Sequence, residues 1–173
     1  MWVRYAPRLM NAILTHFYFV IVSVTIGSVI AVVLAIALSR FKKAAKYLMP
    51  ILGIFQTIPG IVFIGVLFIY IGMRPETVII ALSVYAILPV LKNAYTGIVT
   101  VDPALIEAGR GIGMNPWILL WRVELPMALN SIITGIRMST IYTVSWAVLA
   151  AMIGQGGLGE FIYIGINSNM KQF

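Results

Sequence analysis

The sequence has no cysteine and a single histidine, His16. Disulfides and thiolate metal sites are therefore excluded, as is any site built from several histidines. Charge is scarce too: 10% of the 173 residues are charged and only five are acidic. Soluble domains carry about 25% charged residues. With 61% hydrophobic residues and a mean hydropathy of +1.02, the chain has no soluble core to build, and its solvent is a bilayer. The fold class expected is an all-α membrane protein, a polytopic helical bundle. The net charge of +7 points to neither nucleic acid nor an acidic substrate, because the basic residues sit mostly at the ends of apolar runs, where they orient helices.

What is there is a series of apolar runs. A single domain over residues 1–173 is expected, with four spans at about 17–38, 47–72, 77–98 and 127–153. Before the first, Met1–His16 is mixed and reads as a short amphipathic surface helix. After it, Arg40, Lys42, Lys43 and Lys46 place that loop in the cytoplasm and Met1 outside. The second run is long enough for slack, tilt or a break, and its middle reads Gln56-Thr57-Ile58-Pro59-Gly60. Pro59 frees a carbonyl that Gln56 and Thr57 are placed to satisfy. This is either a kink beside a translocation route or a kink packed against neighbours.

Lys92 lies close enough to the cytoplasmic end of the third span to snorkel; deeper in a membrane it would be a functional candidate. Arg137, inside the fourth run, sits near the headgroups or else needs an acid such as Glu124 or Glu107. Tyr142, Ser145 and Trp146 share a helical face. Aromatic residues so placed either pack helices or cage a quaternary ammonium group. Gly154–Glu160 is a glycine-rich turn without the Gly-Lys-Ser/Thr ending of a phosphate loop.

Most of the acid is held by one stretch, Val101–Pro126, which contains Asp102, Glu107, Arg110, Arg122 and Glu124. Asp102-Pro103 reads as an N-cap followed by a first helical residue, with a helix over Ala104–Ile112. Gly113 suits a left-handed exit. Asn115-Pro116 repeats the cap, and a second helix is expected from Trp117 to Glu124, running on to Leu125-Pro126. Two short helices joined by a glycine turn make an elbow, a docking surface for a soluble partner. Asp102, Glu107 and Glu124 are not organised around a pocket, and no catalytic constellation or cofactor is indicated.

At these residues the chain resembles the permease subunits of bacterial ABC importers. Their pattern is Glu-Ala-Ala, three residues, Gly, nine residues, Ile, one residue, Leu-Pro. Here Glu107, Ala108 and Gly109 are followed at that spacing by Gly113, Val123, Leu125 and Pro126, with Gly109 and Val123 departing from the pattern. His16, Gln56-Thr57-Ile58-Pro59, Tyr85 with Leu88-Pro89, Gly97, Val101–Leu105 and Gly156–Glu160 look like the osmoprotectant branch, for glycine betaine, choline, carnitine and related quaternary amines.

The resemblance implies a bundle of the ABC importer permease type in the bacterial cell membrane, with Glu107, Ala108, Gly109, Gly113, Leu125 and Pro126 coupling to an ATPase. It implies as partners two ATP-binding subunits, an extracytoplasmic substrate-binding protein, separate or fused, and a second permease subunit, either identical or a close paralogue. Along the translocation path we place Gln56, Thr57, Pro59, Tyr142 and Trp146. The family core has a fifth crossing that Phe161–Ile166 is too short to supply, so the sequence is expected to be truncated or part of a longer polypeptide. The alternatives are a permease for another small solute, such as an amino acid or a sulfur-containing betaine, and a non-transport membrane assembly protein.

Overall fold

The first apolar run does not begin at residue 17. In the structure, a computed structural model describing residues 2–167, one helix, α1, runs unbroken over Trp2–Arg40. The expected separate surface helix before His16 is thus the first part of the span helix. No helix-ending signal separates the two, and the apolar segment Ala6–Arg40 rises about 52 Å at the helical repeat, well over the bilayer's hydrocarbon thickness. Both chain ends, Met1 and Phe173, lie outside the described residues.

After Phe41 the chain forms α2 (Lys42–Phe55) and α3 (Gly60–Ile71). They bend by 89° across a break of four residues. The second expected span is therefore a broken pair. The break falls on Gln56–Pro59, where Pro59 cannot donate to a preceding carbonyl. Helix α4 (Pro75–Val99) follows a turn in which Gly72 has φ +96. Two short helices, α5 (Pro103–Gly111) and α6 (Pro116–Leu119), precede a π-helical turn at Leu120–Glu124, the long α7 (Leu125–Met152) and the short α8 (Gly159–Asn167). Among the described residues, three segments are long and apolar enough to cross a membrane, four if the bent pair counts as one span.

The packing centre is α4, held between α1 and α7. Ala31 and Ala35 of α1 meet Val90, Leu91 and Ala94 of α4 and Ala128 of α7 in one cluster. Phe19, Val78, Leu82 and Ala147 belong to a second. Small residues let the backbones approach, as packing in lipid requires. A Cβ on Gly27 would meet Ala86 Cβ at 2.7 Å and the Ser83 carbonyl at 2.8 Å. Some buried hydroxyls bond across helices: Ser139 donates to the Ala86 carbonyl at 3.0 Å and Ser23 to the Ile79 carbonyl at 3.3 Å, whereas the buried Ser28 and Ser83 hydroxyls find no partner among the described residues. Large apolar side chains such as Ile21, Val29 and Val33 are exposed, the side a bilayer covers.

Candidate functional site

The elbow is built by local signals. Asp102 accepts from the Ala104 amide at 2.9 Å and starts α5. Its end is a Schellman arrangement: Gly113, at φ +84, donates to the Arg110 carbonyl and Met114 to the Gly109 carbonyl, each at 3.0 Å. Asn115 then accepts from the Ile118 amide at 2.8 Å and starts α6. Gly109 is buried where the two helices meet, and a Cβ there would press on the tip of Leu119, at 2.6 Å.

The second elbow helix departs from expectation. It does not end at Leu125-Pro126 but continues through the π-helical turn into α7. Pro126 has no N–H for the preceding turn, and the ladder shifts so that the Leu125 amide reaches the Leu120 carbonyl, five residues back. Leu125 is half-buried and Pro126 exposed at the start of α7, so the elbow is joined directly to the span.

One side of this element is bare. Glu107, Ala108 and Arg110 are exposed, and so are Ile112, Trp117 and Trp121, at 76%, 69% and 62%. Apolar knobs beside a carboxylate and a guanidinium fit a protein groove.

Beneath the elbow Arg40, at the end of α1, grips Glu124 with two bonds; Nη1 donates to Oε1 at 3.0 Å and Nη2 to Oε2. Glu124 is 3% exposed. Its partner is therefore Arg40 and not Arg137, which is exposed. Sequence reasoning treated Arg40 only as a topology charge. A lone acid among Leu119, Leu120 and Leu125 demands a cation, and that was the available signal.

The other candidate residues gather at the break in the second span. Thr57 donates to the Ile54 carbonyl at 2.7 Å and not to the Phe55 carbonyl that Pro59 frees, which takes the Ile58 amide at 3.3 Å. Gln56 makes no such bond among those described; the Ile58 carbonyl is taken by the Tyr85 hydroxyl of α4, at 2.7 Å. Tyr85 also meets Trp146 of α7 edge-on, with ring centroids 3.8 Å apart, and Phe63 of α3 at 5.4 Å. Pro59 is exposed, and Gly60 after it leaves room for Trp146.

Gln56, Tyr85, Tyr142 and Trp146 border a recess of about 20 Å³. Gln56 and Tyr142 also line a cavity of about 850 Å³ that runs along α4 past Pro89, Lys92, Asn93 and Thr96. Lys92, expected to snorkel, lines that cavity. The structure thus brings Gln56, Tyr142 and Trp146 together, leaves Thr57 and Pro59 at the break beside them, and holds the elbow residues apart.

A family model described as "binding-protein-dependent transport system inner membrane component" matches residues 23–173. The chain is 43% identical over 158 residues to the glycine betaine/carnitine/choline transport system permease protein OpuCB of Bacillus subtilis, covering 91% of this chain and 73% of that protein. It is 40% identical over 152 residues to the carnitine transport permease protein OpuCB of Listeria monocytogenes, covering 88% and 70%.

Among solved structures, an inward-facing MetNI methionine ABC transporter superposes with a TM-score of 0.85 at 22% identity, over 95% of this chain and 83% of that one. An amino acid ABC transporter gives 0.70 at 19% identity, over 98% and 83%. The fold is therefore that of ABC importer permeases. With the family match extending over most of its length, this chain belongs to the inner membrane components of binding-protein-dependent transport systems.

Proposed function

We propose that this chain is the permease subunit of an ATP-driven importer for small osmoprotectants, quaternary amines such as glycine betaine, carnitine or choline. The observation that carries the reading is the elbow: an exposed face containing Glu107 and Trp117, continuous with the span helix α7 and tied to α1 through Arg40 and Glu124. The substrate class rests on the relatives, whose names carry these solutes.

In this reading two permease subunits form the pathway between them. Two ATP-binding subunits dock under the elbows, and an extracytoplasmic binding protein delivers the solute. ATP closes the ATPases, the elbows move as rigid bodies, and α7 passes the movement to the pathway. The chain contributes no catalytic group; Glu107, Ala108, Gly109, Gly113, Leu125 and Pro126 transmit force. The cytoplasmic side holds Arg40–Lys46 and the elbow, and Glu76 lies outside.

The test is co-expression with the partner ATPase and binding protein, followed by solute uptake into proteoliposomes. ATP-dependent uptake of a quaternary amine supports the reading. Uptake of amino acids alone would replace the substrate class, and failure to retain any ATPase would remove the importer assignment.

A further inference from the structure

The cavity along α4 borders an aromatic recess at one end. There Tyr85 and Trp146 meet edge-on, with ring centroids 3.8 Å apart and 60° between the ring planes, and Tyr142 borders both the recess and the large cavity. Elsewhere the lining carries Tyr95 and also Lys92, the one charged residue among the described residues lining the cavity. Lys92 is exposed to that space and takes part in no ion pair among the described residues. Tyr85 and Lys92 lie on one face of α4, two turns and about 10 Å apart along the axis.

An aromatic face attracts a quaternary ammonium group through the ring quadrupole, and needs no hydrogen bond to do so. An uncompensated ammonium in a partly desolvated cavity attracts a carboxylate and repels a second cation. Tyr142 and Lys92 both line one space of about 850 Å³.

We infer that this cavity is a transit site for zwitterions, holding a quaternary ammonium head against Tyr142 at the mouth of the aromatic recess and directing the carboxylate to Lys92. This rests on the proposed osmoprotectant reading and sharpens it: the permease itself prefers carboxylated amines, glycine betaine or carnitine, over choline, which has a hydroxyl in place of the acid.

The recess at the aromatic end, about 20 Å³, has room for no more than a water molecule. The head group therefore rests at its mouth, against Tyr142, which is 47% exposed. Entry further in requires Trp146 to leave Tyr85. Trp146 lies over Gly60, the first residue of α3, where a Cβ would meet Trp146 Cε3 at 2.9 Å. Any change in the α2–α3 bend moves that seat, so depth of binding is coupled to the bend.

The experiment measures uptake of radiolabelled glycine betaine, carnitine and choline in proteoliposomes containing the whole importer with its own ATPase and binding protein. Wild type is compared with Lys92→Arg, Lys92→Gln, Lys92→Glu and Tyr142→Leu. Lys92→Arg should keep the wild-type ranking. In Lys92→Gln and Lys92→Glu the ratio of carboxylated solute to choline should fall by about tenfold or more, with choline uptake rising in Lys92→Glu. Tyr142→Leu should lower uptake of all three solutes together, since all share the head group.

A ratio unchanged in both Lys92→Gln and Lys92→Glu, at wild-type membrane levels, overturns the inference and makes Lys92 a snorkelling residue over a lipid-filled cleft. A wild-type importer that carries none of the three solutes overturns the osmoprotectant reading and this inference with it. Carriage with an unmoved ratio overturns the inference alone.

Discussion

Arg40 and Glu124, 84 residues apart in sequence, form a two-point ion pair that fastens the end of α1 to the π-helical turn below the elbow. Glu124 is almost wholly buried, while the Arg40 side chain is 42% exposed. The burial is unequal, so the two partners are not equivalent.

Arg40→Ala leaves a buried carboxylate without a cation and should destabilise the subunit by roughly 2 kcal/mol, less than the usual cost of breaking a fully buried pair because water reaches Arg40. The double change Arg40→Met with Glu124→Leu removes the orphan and should recover much of that loss. Thermal unfolding of the purified subunit in detergent checks the ordering. A double variant less stable than Arg40→Ala would contradict it.

Gly27 sits where α1 crosses α4. Gly27→Ala places a methyl against Ala86 Cβ and the Ser83 carbonyl, which is backbone and has little freedom to yield. A cost of about 1–3 kcal/mol is expected. Gly53→Ala is the control, because no atom lies within 4 Å of its added Cβ. Melting curves of the two variants should separate clearly.

At the break in the second span, Tyr85→Phe strips the Ile58 carbonyl of its donor. The loss should be about 1 kcal/mol, a usual size for a hydrogen bond between membrane helices. Solute uptake should change while assembly with the ATPase survives, because the elbow is untouched. Uptake and stability both at wild-type levels would mean that the bond does not hold the bend.

Much of the elbow was legible in the sequence because its determinants are local. Asp102-Pro103, Asn115-Pro116 and Gly113 each act on backbone within three residues, and the structure has Asp102 and Asn115 as caps and Gly113 left-handed. The long helices α4 and α7 were legible as apolar runs, and Pro59 marked where the second run breaks.

Four features were not legible. The 89° bend depends on what α3 packs against, and a proline specifies a break but no angle. The fusion of the elbow with α7 was missed because Leu125-Pro126 carries an ordinary stop signal; the π-helical turn absorbs the missing donor. The Arg40–Glu124 pair and the edge-on Tyr85–Trp146 contact join residues 84 and 61 positions apart, and no periodicity reports such partners.

The most direct measurement of the central claim, that the elbow transmits the ATPase stroke, compares Gly113→Leu and Glu107→Ala with Gly111→Ala. Leucine at φ +84 costs about 1–2 kcal/mol of backbone strain and distorts the turn between α5 and α6. Gly111 lies in α5 with open space around it, so alanine there should be harmless. Each variant is expressed with the partner ATPase and binding protein, and ATPase retention, ATP hydrolysis and solute uptake are measured on the same preparation. The account predicts normal membrane levels throughout, full coupling in Gly111→Ala, and lost ATPase retention or uptake uncoupled from hydrolysis in Gly113→Leu and Glu107→Ala. Wild-type retention and uptake in both of those variants would contradict it.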